Sequence, residues 1–487
     1  MDKTNKQALM LALQRLLPAA SILSSPEQLK PYECDGLSVY RQLPAVVVLP
    51  DQLQQVQAIL RLCHDSQIPV VARGAGTGLA AGAMPLKDSL VLSLAKFNQI
   101  LNIDTNNRVA VVQPGVRNLA ISEAVAHLGL YYAPDPSSQI ACTIAGNVAE
   151  NSGGVHCLKY GLTVHNVLGL KMLGMDGELI ELGGAALDSP GYDLLALMHG
   201  SEGLLGVIME VTVKLLPKPS MAQVVLAAFD DIEKAAQAVG DIIAAGIVPA
   251  GLEMMDKLAI QAAEAFIHAG YPTDAEAILL CEIDGTEKGV ADYICAVEQV
   301  LKEAGAVNIK TSRNEAERLQ FWAGRKAAFP AVGRLAPDYY CMDGTIPKAA
   351  LPQVLRQIAA WSADYKLPVA NVFHAGDGNM HPLILYDANK AGELQRTEAF
   401  GKKILALCVE VGGSITGEHG VGLEKLDSMC VQFGSGELQQ FFAVKDAFDP
   451  ERLLNPGKAV PSLHRCAELG RMHVHNGALP HPELERF

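Results

Sequence analysis

Apolar residues recur along the chain in two rhythms, short continuous runs and longer stretches with a helical repeat, and their order predicts the architecture. Ala45-Val46-Val47-Val48-Leu49-Pro50 is strand-like, and the stretch from Asp51 to Gln67 puts Leu53, Val56, Ile59, Leu60 and Cys63 on one helical face. A second strand, Pro69-Val70-Val71-Ala72, runs straight into the turn Arg73-Gly74-Ala75-Gly76-Thr77-Gly78. Strand, helix, strand and glycine turn in that order form an α/β unit. Further strands are expected at Leu90 to Leu94, Val109 to Val112, Gly169 to Leu173 and Gly206 to Leu216, and Pro217 and Pro219 then mark a boundary near residue 220.

The next region, 221–420, alternates strand-like runs (Val224 to Phe229, Ala277 to Ile283, Val369 to His374, Pro382 to Tyr386) with helix-like ones (Asp231 to Ala245, Ala291 to Ala304, Leu351 to Tyr365). This suits an α+β sheet covered by helices. The remaining 421–487 closes with a helical stretch near Glu437 to Phe448 and Leu454-Asn455-Pro456-Gly457-Lys458. Its tail gathers His464, Cys466, His473, His475 and His481, residues of a kind that usually dock on the surface. Met1 to Ser25 reads as an amphipathic helix, because Gln14 and Arg15 interrupt its apolar run before a signal-peptide core or a membrane span forms.

With 487 residues, 49% apolar and 19% charged, the chain can bury a large core in two or three domains. A net charge of −14 with no basic run argues against nucleic acid as a partner and against docking on anionic lipid. The ten cysteines contain no CxxC pair, which excludes the usual iron–sulfur and zinc-ribbon spacings and fits a reduced cytosol. Electrons that enter such a chain have no cluster of its own to leave by.

Candidate chemistry is concentrated in two places. Phe373-His374-Ala375-Gly376-Asp377-Gly378-Asn379-Met380-His381 brackets a glycine turn with two histidines, and Gly417-Glu418-His419-Gly420 sets a carboxylate beside a third. Residues seven apart in a strand face opposite ways, so the turn at 376–379 must fold the segment back before both imidazoles can meet. His374, His381 and Glu418 then make a two-histidine, one-carboxylate cation site with open positions, and His419 is free to move a proton. The plainer alternative is a pair of hairpin histidines and a surface carboxylate. The second place is the glycine turn at 73–78, which can direct successive N–H groups at an anion. Pro134-Asp135-Pro136-Ser137-Ser138, Thr143 to Gly154 and Gly200 to Gly206 add loops of small residues, more than one phosphate needs and suited to an extended dinucleotide.

These motifs, with Leu454 to Lys458, resemble the FAD-binding domain of the vanillyl-alcohol-oxidase type, and the histidine hairpin with Gly417 to Gly420 resembles its branch of FAD-linked D-2-hydroxyacid dehydrogenases. Phe321-Trp322-Ala323-Gly324-Arg325-Lys326, Pro337 to Pro347 and the tail from Leu463 to Phe487 narrow the likeness to members that oxidise glycolate as the catalytic subunit of a larger bacterial assembly. The resemblance implies an α+β fold: a two-part FAD-binding domain at 1–220, an α+β cap domain with the metal site at 221–420, and a segment at 421–487 that returns to the flavin. It implies FAD contacts from Arg73, Gly74, Ala75, Gly76, Thr77, Gly78, Pro134, Asp135, Ser138, Thr143, Gly146, Asn147, Ser152, Gly153, Gly154, Gly203, Val207, Ile208 and Asn455. His374, His381 and Glu418 match its divalent-metal ligands, zinc or manganese, His419 its base, and Arg325 the arginine that pairs with the substrate carboxylate.

Thr77 stands where relatives with covalent flavin carry histidine, so the FAD is expected to be noncovalent. Phe329 and Leu383 stand where relatives acting on hydroxyglutarate carry polar residues, which disfavours a second carboxylate. The implied activity is oxidation of a small 2-hydroxyacid to the 2-oxoacid. Electrons would leave through a second flavin-type subunit and an iron–sulfur subunit, in the cytoplasm or at the inner membrane through those partners. Rival readings are a stand-alone D-lactate dehydrogenase of the same fold, a non-catalytic flavin-fold subunit and a metal-dependent oxygenase.

Overall fold

The computed structural model describes residues 3–186 and 190–461; the histidine-containing tail lies outside the described residues. Helix Lys3–Leu16 buries Leu9 and Leu13 in one core with Val56, Ile59 and Leu60 from helix Leu53–Asp65, whose apolar face is the one its spacing predicts. Both helices pack on one face of a four-stranded sheet in the order Ile22–Leu23, Val46–Val48, Leu90–Ser93, Val70–Arg73. Its last three strands are parallel, and all three residues of Val46–Val48 are buried, as expected for a run covered on both faces.

A second, five-stranded antiparallel sheet runs Ile100–Asp104, Val109–Val112, Val207–Lys214, Val167–Leu173, Leu179–Gly183. Its two edge strands escape an apolar-run reading because their residues are largely exposed or half-buried. The chain returns to the first sheet near its end. Leu454 bridges Val70, and Asn455 donates its side-chain amide to the carbonyls of Gly82 and Glu202.

Residues 221–386 build the largest sheet. Seven antiparallel strands run in the order Asn308–Thr311, Met221–Phe229, Ala277–Gly285, Gly251–Asp256, Val369–His374, Asn379–Tyr386, Asp338–Cys341, and Gly344–Thr345 adds to one end of Asn379–Tyr386. Helices Ile232–Ala244, Leu351–Tyr365 and Glu393–Glu410 cover one face, and Lys257–Ile267 and Glu315–Lys326 cover the other. Gly251–Asp256 has no counterpart in the sequence reading, since Glu253 breaks its apolar run; it nevertheless lies at the centre of the sheet with every residue buried. Among the described residues no helix is long and apolar enough to cross a membrane.

Candidate active site

The hairpin forms as its glycines require. Val369–His374 pairs antiparallel with Asn379–Tyr386 in a register that sets His374 opposite Asn379 and Val372 opposite His381, so both histidines stand on one face. Their rings are 5.1 Å apart. Gly378, at φ +84, makes the turn, where a Cβ would strike the Ile346 carbonyl. Glu418 reaches in from the loop after Thr416: its Oε1 lies 3.0 Å from His381 Nε2 and 3.4 Å from His374 Nε2, and its Oε2 accepts from Gly153 N–H at 3.0 Å. Asp343 anchors that loop by accepting backbone N–H bonds from Gly417, Glu418 and His419 and the Lys425 ammonium at 3.0 Å.

The electrostatics favour positive charge at this point. Burial pulls His374 down, but Glu253 and Glu418 override it and raise the imidazole well above its ordinary value. His381 is likewise lifted against burial, to about 10, by Cys341 and Glu418. Against the penalty of burial the same two histidines hold the Glu418 carboxyl well below the usual range. A carboxylate flanked by two such imidazoles, all donor atoms within 4.8 Å of one another, suits a divalent cation as well as it suits two protons. Cys341, His381 and His419 form a second, overlapping group of the same kind. His419 stacks on His381 at 5.0 Å between ring centres, and burial, with the charge of His381, pushes it down to about 4 despite Asp343. Its imidazole is therefore a neutral proton acceptor across the neutral pH range, at a lower basicity than a free histidine.

A cleft joins His381, Glu418 and His419 to the glycine loops, while His374 and Arg325 lie outside its lining. Arg73, Gly74, Ala75, Gly76, Thr77, Gly78, Ser138, Thr143, Gly146, Asn147, Ser152, Gly203, Ile208 and Asn455 line it, and its far end reaches Phe329, His381, Glu418 and His419. No described hydrogen bond uses a backbone N–H of residues 75–78 as donor, and the Arg73 guanidinium lies beneath that turn with one bond to the Ala83 carbonyl. Free N–H groups over a buried cation suit a pyrophosphate. Three buried polar atoms from cleft residues lack a partner in the protein, Thr143 Oγ1, Glu150 Oε2 and His419 Nδ1, as expected where a polar cofactor and substrate would complete the bonding.

Other expected residues lie behind the wall. Asp135 turns to His156, whose Nδ1 is 2.8 Å from its Oδ2, Gly154 packs on the Asp135 backbone, and Val207 is fully buried in the core. Pro134 and Gly153 are also outside the cleft lining, although Gly153 touches Glu418. Leu383 is buried in the core behind the sheet and does not wall the cleft; that part falls to Phe329, packed edge-on against His381. Arg325 is 2% exposed on helix Glu315–Lys326, and its Nε donates to Glu253 Oε2 at 2.7 Å. Its Nη2 lies 2.7 Å from the same oxygen without hydrogen-bond geometry and has no other partner. Glu253, unseen in the sequence, is thus attached to the site, because its Oε1 also meets His374 Nδ1 at 2.7 Å. Glu150 and Glu202 are buried acids at the cleft wall that no sequence motif marks; Glu150 ends helix Ile144–Glu150, which occupies most of the expected loop from Thr143 to Gly154.

A two-part mixed domain carrying an anion cradle, facing an antiparallel sheet that presents a histidine–carboxylate cluster, defines a flavin-dependent oxidoreductase architecture. The chain belongs to the family of FAD-linked oxidases and is an FAD-linked oxidoreductase: residues 44–183 match the FAD binding domain and residues 218–459 the FAD linked oxidases, C-terminal domain. It is 64% identical over 483 residues to glycolate oxidase subunit GlcD of Escherichia coli (strain K12), an alignment covering 99% of this chain and 97% of that one. It is 40% identical to the subunit of the same name from Bacillus subtilis (strain 168), covering 88% and 91%, and 33% identical to a D-lactate dehydrogenase of Anaerostipes hadrus, covering 87% and 91%. A solved structure of p-cresol methylhydroxylase with substrate bound superimposes with a TM-score of 0.81, covering 95% and 98% of the two chains at 18% identity. That likeness shows the fold, an FAD-binding domain of the vanillyl-alcohol-oxidase type with a cap domain.

Proposed function

We propose that this chain oxidises a small 2-hydroxyacid, glycolate first and D-lactate second, to the corresponding 2-oxoacid. The observation that carries the reading is the continuity of the cleft from the glycine turn at 73–78 to His381, Glu418 and His419. The 64% identity to a glycolate oxidase subunit supports glycolate, and the 33% identity to a D-lactate dehydrogenase supports D-lactate.

FAD, held noncovalently in the loop half of the cleft, supplies the two-electron acceptor, and a divalent cation on His374, His381 and Glu418 supplies a Lewis acid for the substrate hydroxyl. His419 accepts the hydroxyl proton at Nε2, which lies 4.0 Å from Glu418 Oε1. Arg325, whose Nε and Nη2 both face Glu253 Oε2, is assigned the substrate carboxylate through the rest of its guanidinium. Phe329 closes the far side with an apolar surface that cannot pair a second carboxylate. Because a subunit name attaches to its relatives, we assign reoxidation to partner subunits, a second flavin-type chain and an iron–sulfur chain, which pass electrons to the respiratory chain.

Steady-state assays with an artificial dye acceptor test this reading. Glycolate and D-lactate should turn over, L-lactate and D-2-hydroxyglutarate far more slowly. Preference for hydroxyglutarate would contradict it, and preference for D-lactate over glycolate would favour the lactate dehydrogenase alternative.

A further inference from the structure

Glu253 has two oxygens and two different partners. The register of strands Gly251–Asp256 and Val369–His374 pairs Met254 with Phe373, which puts Glu253 directly across from His374 on the face that carries the hairpin histidines. Oε1 lies 2.7 Å from His374 Nδ1, and Oε2 accepts from Arg325 Nε at 2.7 Å. The three side chains are 1%, 4% and 2% exposed, so water cannot substitute for any of these bonds. Accepting at Oε1 obliges His374 to carry its proton on Nδ1, which leaves the Nε2 lone pair for a cation beside Glu418. Accepting at Oε2 fixes the guanidinium plane.

We propose that Glu253 is a positioning residue that locks His374 and Arg325 into one unit, so that cation affinity and binding of the substrate carboxylate both depend on it. The proposal rests on the reading of His374 as a cation ligand and of Arg325 as the carboxylate partner. Glutamine at 253 has one acceptor oxygen and one NH2 donor, so it can serve His374 or Arg325 but turns a donor towards the other. Aspartate keeps both oxygens and the charge but is one methylene short of spanning the two.

The test is to prepare Glu253→Gln, Glu253→Asp and His374→Ala with FAD bound and measure zinc and manganese affinity by chelator competition, the visible spectrum of the cobalt-loaded protein, KM and kcat for glycolate, and flavin content. Glu253→Gln should lose about ten- to a hundredfold in cation affinity, with a changed cobalt spectrum, a raised KM for glycolate and unchanged flavin content. Glu253→Asp should fall between it and the parent, and decides the matter if the glutamine variant does not fold. If cation affinity and KM in both Glu253 variants stay within about twofold of the parent while His374→Ala loses the cation, the positioning role is overturned and the site reading survives. If His374→Ala itself retains the cation, both are overturned.

Discussion

Arg325→Lys separates two tasks, the pairing with Glu253 that the structure shows and the substrate-carboxylate contact that we propose. Arg325 Nε and Nη2 both lie 2.7 Å from Glu253 Oε2, and the two side chains are 2% and 1% exposed. Removing one partner of such a buried pair altogether costs about 3–5 kcal/mol, because the other charge is left without compensation. Lysine keeps the charge but offers a compact ammonium in place of a planar fork, so it can serve Glu253 or a substrate carboxylate and not both. The expected loss is one charge-assisted hydrogen bond, about 1.5–3 kcal/mol. If lysine stays with Glu253, the loss falls on catalysis, roughly ten- to a hundredfold in kcat/KM for glycolate. If it swings towards substrate, the loss falls on the fold, and melting drops by about 2–4 °C for each kcal/mol in a domain of this size. Thermal melts and glycolate kinetics on the same preparation measure the split. Silence in both would refute the reasoning.

Gly154→Ala should destabilise the fold, since φ is +148 and a Cβ would stand 2.6 Å from the Asp135 carbonyl carbon; a cost of about 1–3 kcal/mol should appear as a lowered melting temperature, read by thermal melts of the flavin-loaded protein. Acid or heat should release the parent's flavin quantitatively, because Thr77 offers no attachment, and flavin that stays with the denatured chain would contradict this. His374→Ala or Glu418→Ala should abolish bound divalent metal and most turnover while flavin content holds, as determined by elemental analysis and absorbance. The bridge Asp135–His156–Glu282–Arg318 sets a pH window. Burial opposes both ionised forms, but Asp135 and Glu282 raise His156, and His156 and Arg318 hold Glu282 down at about 2. The raised histidine stabilises fully below its unfolded 6.5 and its share is lost as pH rises through the folded value; the depressed carboxyl stabilises above 4.5 and its share is lost as pH falls towards 2. Melting of the parent should therefore decline on the alkaline side more than that of His156→Asn.

The histidine–carboxylate cluster is legible in the sequence because a glycine turn is local: Gly376 and Gly378 announce a reversal, and a reversal of that length returns His381 to the face of His374. The glycine turn after Val70–Arg73 is legible for the same reason. Glu253 is not, because its role comes from a register between strands more than a hundred residues apart that no local spacing encodes. The surroundings of Leu383 are hidden for a similar reason. It shares a strand face with His381, yet by that position the sheet has passed from the cleft to the packed core under helix Lys257–Ile267. Arg325 was recognisable by its motif, but the acid that holds it was not, and without that acid the arginine looked like a free cation.

The central claim is that electrons pass directly from a small 2-hydroxyacid to FAD in this chain. Anaerobic mixing of the purified, flavin-loaded protein with glycolate, following the oxidised-flavin band, tests it without any partner or external acceptor. The account predicts bleaching of the whole band by glycolate and by D-lactate, with little change from L-lactate or D-2-hydroxyglutarate; a fully loaded protein whose flavin stays oxidised with every one of these acids would contradict it.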